Sequence, residues 1–366
     1  MKTIKILYVV PNLGVCNGVA SYAMNYFRYI NKEKVKIDFL LLNSLPTPYY
    51  EEIERTGSKI IILPPLKQGI FKFLKALDKV FKAEKYDIIH CNLVNIGAVI
   101  LRYAKKNGIK IRILHSHGTR SADLKWKEIR NDTITPITKY YSTDFFACSK
   151  LAGEFLFGKS QYYVINNAID ESNYIYDEKE RELIRNKLSL ENNFVVGTVG
   201  RFQPQKNPLF LIEIFLELKK KCNNAKLLWV GSGIMEKEIK HKINELKLDD
   251  DVILLGDRSD VQSLYQAMDV FLLPSLYEGL PVVGIESQCS GLPTIVSDTI
   301  TMEMKITNLV TFLSIEESAK KWAEVVINCT KNFIRINVEK DICDHGYSIK
   351  NEARYIEKMY KELVKR

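Results

Sequence analysis

Short continuous apolar runs recur along the chain and alternate with stretches whose apolar positions repeat every three or four residues. The first pattern predicts buried strands and the second amphipathic helices. Ile4–Val10 opens the series, and a helix is expected over Val19–Ile30. Further strands are predicted at Val35–Leu42, Lys59–Leu63, Tyr86–Cys91, Lys110–His115 and Asp144–Cys148, with helices near 70–84, 95–107, 124–141 and 149–157. Tyr162–Ile165 closes this series, and the polar stretch Asn166–Leu190 reads as a connection carrying a helix. The rhythm restarts at Asn193–Gly200 and continues through strands near 226–230, 252–255, 269–273, 293–297 and 308–313. Such alternation predicts an α/β fold with two doubly wound, Rossmann-like parallel sheets. Ile349–Val364 has apolar residues at 349, 353, 356, 359, 360 and 363, which form one face of a helix. The expected divisions are 1–170, 171–345 and a terminal helix at 346–366.

At 366 residues, with 46% apolar and 27% charged composition, the chain is long enough for two globular cores. The apolar run at the N-terminus stops at Pro11-Asn12, too soon for a secretory signal, and no run reaches the length of a membrane span. The seven cysteines are scattered without CxxC or histidine pairing, which favours reduced thiols over a zinc site. A cytoplasmic protein is expected. Charge changes this picture: residues 1–170 hold 26 basic against 14 acidic side chains, and the remainder holds 27 against 30. The first half is therefore suited to an anionic partner, whether nucleic acid, a membrane surface or a phosphorylated acceptor. Gln68–Tyr86 interleaves Ile70, Phe71, Phe73, Leu74, Leu77, Val80 and Phe81 with five lysines. It reads equally as a membrane-surface helix or as an outer helix with solvated lysines, and Lys125, Lys127 and Arg130 add to the first reading.

Candidate chemistry concentrates at predicted strand ends. The apolar run Val270–Leu273 leads into Ser275-Leu-Tyr-Glu278-Gly279-Leu280-Pro281, with Glu286 on the helix that Pro281 introduces and Gly291 ends. Two carboxylates beside a helix N-terminus suit a polyhydroxylated anion. Gly200-Arg201…Lys206-Asn-Pro208 places two cations at another strand end, able to clamp a diphosphate. Gly14…Asn17-Gly18 lies between the first strand and helix, where backbone N–H groups can approach a phosphate. His115-Ser-His117-Gly118 ends a strand with both imidazoles on one face, and no further ligands for a metal are evident. Gly231-Ser-Gly233 is only a partial dinucleotide pattern. Asp249-Asp250-Asp251 reads as solvated turn acids.

The run from Ser275 to Thr294 resembles the Glu-x₇-Glu signature of retaining nucleotide-sugar glycosyltransferases of the GT-B fold, glycosyltransferase family 4. The segment Ser297–Glu303 resembles the exopolysaccharide and capsule branch of that family. The resemblance implies a cleft between two Rossmann-like domains, acceptor on the first and donor on the second, with a terminal helix crossing back. It implies diphosphate contacts from Arg201, Lys206 and Gly18, with Asn17 standing where the family usually has glycine. It further implies sugar contacts from Glu278, Gly279 and Leu280, ribose contact from Glu286, a histidine (His117, then His115) facing the donor sugar, and a base-side backbone contact at Arg258. No metal or other cofactor is implied. The expected reaction is retaining transfer of a hexose or N-acetylhexosamine from a UDP-sugar to a lipid-linked oligosaccharide, at the inner face of the membrane. The alternatives are a UDP-sugar epimerase of the same fold and a basic nucleic-acid-binding protein, although the lysines form no recognition motif.

Overall fold

The computed structural model describes residues 3–15, 17–118 and 125–366; the side chains of 125–130 and 132 lie outside that description. Met1–Ala168 and Ile349–Arg366 form one compact unit, and Ile169–Ser348 forms a second. In the first unit seven strands run β1 (Ile4–Val10), β2 (Val35–Leu41), β3 (Ile60–Ile62), β4 (Ile88–Cys91), β5 (Ile111–Ser116), β6 (Asp144–Ala147) and β7 (Tyr163–Val164). Between them lie α1 (Gly18–Tyr29), α2 (Tyr49–Arg55), α3 (Ile70–Ala83), α4 (Gly97–Lys106), α5 (Lys125–Tyr141) and α6 (Lys150–Phe157). The second unit has β8 (Phe194–Val199), β9 (Ala225–Val230), β10 (Val252–Leu254), β11 (Val270–Leu273), β12 (Thr294–Ser297) and β13 (Val310–Leu313). Its helices are α7 (Glu178–Leu188), α8 (Pro208–Lys219), α9 (Glu236–Glu245), α10 (Val261–Ala267), α11 (Val282–Cys289), α12 (Ala319–Thr330) and α13 (Glu339–Asp344). The chain then returns to the first unit as α14 (Ile349–Lys365).

Both sheets are parallel, ordered β3-β2-β1-β4-β5-β6-β7 and β10-β9-β8-β11-β12-β13. Continuous apolar strands follow from burial on both faces. In β1, Ile4, Ile6, Tyr8 and Val10 pack on the side covered by α1 and α14, while Leu7 and Val9 pack towards α3 and α4. The strand order reverses between β1 and β4 and again between β8 and β11. Crevices outside the carboxyl ends of strands at such reversals are where open α/β sheets bind ligands. In each unit, predicted site residues follow these strands directly.

Helix α14 is the element the apolar periodicity predicted, and its face of Ile349, Ala353, Ile356, Met359, Tyr360 and Leu363 is buried. Tyr360 is fully buried, with its hydroxyl 2.7 Å from that of Tyr8 and 2.7 Å from Nδ1 of His90. One reading of the turn acids needs correction. Asp249 and Asp250 are exposed, but Asp251 is paired with Lys219 at 2.8 Å and Lys226 at 3.0 Å, which pins the start of β10 beside β9.

Candidate active site

In the second unit the loop after β8 turns through a short 3-10 segment, Pro204–Lys206. Asn207 follows in the left-handed region (φ 52°, ψ 51°), which asparagine tolerates better than most residues, and Pro208 takes the first position of α8. This geometry turns Lys206 onto the loop after β11, where its Nζ lies 2.5 Å from Oε1 of Glu278. Gln205 Nε2 donates to Tyr277 O at 3.0 Å and Glu278 Oε2 at 3.3 Å, and Leu276 N–H donates to Gln205 O at 2.8 Å. The loops from the two central strands are thus stitched together. Arg201 is exposed at the carboxyl end of β8, and no ion pair among the described residues engages it. A fixed ammonium–carboxylate pair beside a solvent-facing guanidinium can take both the hydroxyls and the phosphates of a sugar diphosphate.

Glu286 lies on the second turn of α11, where Tyr174 Oη donates to it at 3.0 Å and Tyr265 Oη at 2.9 Å. Burial raises its pKa above the usual carboxylate value, and the two phenol hydrogen bonds oppose that shift. Gly279 is half-buried, whereas Leu280 joins the core. Arg258 is half-exposed and forms a bidentate pair with Asp260 at 2.8 and 2.6 Å, within the loop leading to α10. Gly231 and Gly233 have a structural reason of their own. A Cβ at Gly231 would lie 2.1 Å from Gly200 O, and one at Gly233 would lie 2.5 Å from Phe202 O. These glycines let the loop after β9 press against the loop after β8.

In the first unit, Asn17 caps α1, its Oδ1 accepting from Val19 N at 3.0 Å and Ala20 N at 3.3 Å. Gly18 is exposed, and a Cβ there would meet nothing within 4 Å. The fold therefore does not require glycine at this position, and the space a side chain would fill remains available to a ligand. His115 is buried and His117 half-buried, their rings stacked with centroids 4.0 Å apart. Burial pushes His117 down to about 3, so its ring is neutral at physiological pH. His117 also lines a cavity of about 560 Å³ with Asn92, Asn131, Thr135, Lys139 and Phe155. That volume lies in the range of small-molecule pockets, about 300–1,000 Å³.

Several residues of these constellations carried no sequence signal. Tyr174 lies 112 positions before Glu286 in a polar connection, and Asn92 lies 25 positions before its partner His117. Only the placement of each at a strand end or connection marks them as candidates.

The model for glycosyl transferases group 1 matches residues 180–334, and that for glycosyltransferase family 4 matches residues 16–173. A Bacillus subtilis protein named as the glycosyltransferase EpsF is 30% identical over 333 residues, covering 88% of this chain and 86% of its own. The chain belongs to the family 4 glycosyltransferases. An Escherichia coli enzyme named UDP-Gal:alpha-D-GlcNAc-diphosphoundecaprenol alpha-1,3-galactosyltransferase is 27% identical to this glycosyltransferase, over 99% of this chain and 97% of its own. Among solved structures, Anabaena Alr3699/HepE in complex with UDP-glucose has a TM-score of 0.76 at 18% identity, covering 99% of each chain. That likeness identifies the fold of this glycosyltransferase as GT-B.

Proposed function

We propose that this glycosyltransferase moves a hexose or N-acetylhexosamine from a UDP-sugar to a lipid-linked oligosaccharide, with retention, during surface polysaccharide assembly. The observation that carries the donor reading is the contact of Lys206 with Glu278 at the β8–β11 reversal, beside exposed Arg201. In this reading Arg201 and Lys206 stabilise the departing diphosphate, and the N-terminus of α1 at Gly18 offers N–H groups suited to a phosphate. Glu278 and the Gly279-Leu280 backbone hold sugar hydroxyls, Glu286 accepts from the ribose, and the loop at Arg258 borders the base. The cavity beside His117 suits a hydroxyl-bearing acceptor, with Lys139 available for a phosphate. UDP is favoured because the HepE complex and the E. coli relative both carry that nucleotide in their names.

A thermal-shift panel of UDP-, GDP- and ADP-sugars tests the donor assignment, since a ligand of the folded state raises the midpoint. We expect stabilisation by UDP-sugars and its loss in Glu286→Ala. No shift from any nucleotide sugar would refute the reading. A UDP-sugar epimerase would act without acceptor, so product formation that needs no glycan would favour that alternative.

Helix α3 supports contact with an anionic membrane as part of this reading. This helix buries Phe73, Leu77 and Phe81, yet Phe71 is 85% exposed beside exposed Leu66 and Ile70. Lys67, Lys72, Lys75, Lys79 and Lys82 are exposed on the same segment, with Asp78 paired to Lys82 at 2.5 Å. Lys125, Lys127 and Arg130 have side chains outside the described residues. Among the described residues no helix is long and apolar enough to cross a membrane, so a surface contact is the relevant mode. Co-sedimentation with phosphatidylglycerol vesicles is expected to exceed that with phosphatidylcholine vesicles, and Phe71→Asp to weaken it about tenfold. Equal binding to both vesicle types, or preference for nucleic acid, would remove the membrane contact from the proposal.

A further inference from the structure

Asn92 follows β4 immediately, and its backbone N–H extends the ladder by donating to Val9 O at 3.0 Å. Its side-chain Nδ2 donates to the same carbonyl at 3.1 Å. A carbonyl only accepts, so this bond fixes which end of the amide faces β1. Oδ1 is left facing the loop after β5, where Nε2 of His117 lies 2.7 Å away. An amide oxygen cannot donate, so Nε2 of His117 must carry the hydrogen. A neutral imidazole has one N–H, which places the lone pair on Nδ1. No described residue bonds to that nitrogen.

The ring cannot readily turn to reverse this assignment. One face is stacked on His115, and Tyr22 packs against both rings with centroids 4.9 Å away. His115 is held in turn, because its Nδ1 lies 2.9 Å from Nε2 of His90, whose Nδ1 meets Tyr360 Oη at 2.7 Å. Among the described residues, the titratable groups packed against His117 are His115 of β5 and Tyr22 of α1, with His90 of β4 bonded to His115 and Lys139 of α5 lining the same cavity. None of these described groups is a carboxylate that could hold an imidazolium. The structure supplies instead a neutral amide as the sole side-chain hydrogen-bond partner of His117 among the described residues.

We propose that Asn92 is a positioning residue for glycosyl transfer, holding His117 with Nε2 as donor and Nδ1 as an acceptor for a substrate hydroxyl. This inference rests on the glycosyl-transfer reading and on the placement of His117 at the strand end. A proton on Nδ1 would remove the lone pair that receives the hydroxyl. A carboxylate in place of Asn92 would invite that proton by stabilising the charged ring. An amide keeps the geometry without the charge.

The test uses ¹⁵N-histidine spectra of the whole protein together with Asn92→Asp and Asn92→Leu. In the wild type, His117 is expected as the Nε2–H tautomer, without titration between about pH 5 and 8. Asn92→Asp still offers Nε2 an acceptor, but its second oxygen faces Val9 O where Nδ2 donated, so its pH profile is compared in shape after scaling to its own kcat near pH 8. Below that, an acidic limb should appear between about pH 5 and 7, because the new carboxylate raises the pKa of His117 and activity falls as Nδ1 gains its proton. Asn92→Leu should lower kcat about tenfold at every pH without creating that limb. An Nδ1–H tautomer in the wild type would overturn the proposal. So would an Asn92→Asp pH profile that superimposes on the wild type. The nucleotide-sugar thermal shift on the same samples reports donor binding alone; if it persists while the pH profile is unaltered, the role of Asn92 fails and the donor reading stands.

Discussion

Replacing Lys206 with alanine is expected to lower kcat/KM by about 10²–10³, the usual cost of removing one group that stabilises developing negative charge. The ammonium lies 2.5 Å from Glu278, with side-chain exposures of 18% and 10%. It neutralises a mostly buried carboxylate, and in the proposed reading it also meets the donor diphosphate. Both tasks are lost in Lys206→Ala, and Glu278 is left without its cation in a site with little water to take over. The double variant Lys206→Ala/Glu278→Gln, set against Glu278→Gln alone, separates the tasks. If Lys206 only balances Glu278, its removal should cost little once that carboxylate is gone. If it meets the diphosphate, the double variant should fall well below Glu278→Gln. Steady-state kinetics with varied donor decide the matter, and a Lys206→Ala enzyme within threefold of wild type would exclude a leaving-group role.

The largest stability effect is expected from Gln288→Leu, at about 3 kcal/mol, because a buried donor then loses its partner. Gln288 sits on α11 with no solvent exposure. Its Nε2 donates to Gly284 O at 2.8 Å and Met304 O at 2.9 Å, while Oε1 accepts from Ile306 N, Thr307 N and Thr307 Oγ1 at 3.3, 3.1 and 2.9 Å. Leucine has similar volume but can replace none of these bonds. Ile306 N keeps a bond to Met304 O, so the backbone N–H of Thr307 bears most of the loss. Urea denaturation should show a lower midpoint with an unchanged slope. A loss under about 1 kcal/mol would mean that the loop at 302–307 finds other partners, well below the range for a buried orphan donor.

The fold was legible because its signal is local. A strand buried on both faces must be apolar throughout, so Ile4–Val10, Val195–Val199 and Val270–Leu273 announce themselves without reference to any partner. Helix α11 was equally plain, since Pro281 and Gly291 mark its limits and Glu286 follows from helical spacing. The support around these residues was not legible. Tyr174 and Tyr265 reach Glu286 from a connection and a different helix, and Gln288 acts through a loop more than four helical turns along the chain. Hydrogen bonds of this kind depend on three-dimensional neighbours, which periodicity cannot supply. Asp251 shows the same limit: its turn context suggests solvation, but Lys219 and Lys226 converge on it from α8 and β9.

The placement of α14 also bears on the order in which the molecule can be made. The first unit needs Ile349, Ile356, Tyr360 and Leu363 to close the core over β1 and α1, yet these residues follow the whole of Ile169–Ser348. During synthesis the ribosome therefore delivers every strand of both sheets before it delivers the helix that covers Tyr8 and Met24. The second unit has all its own segments in one continuous stretch and can complete itself first. The earlier-made half waits with an apolar groove open to chaperones or to premature self-association. Maturation of this glycosyltransferase thus runs against the order of its sequence.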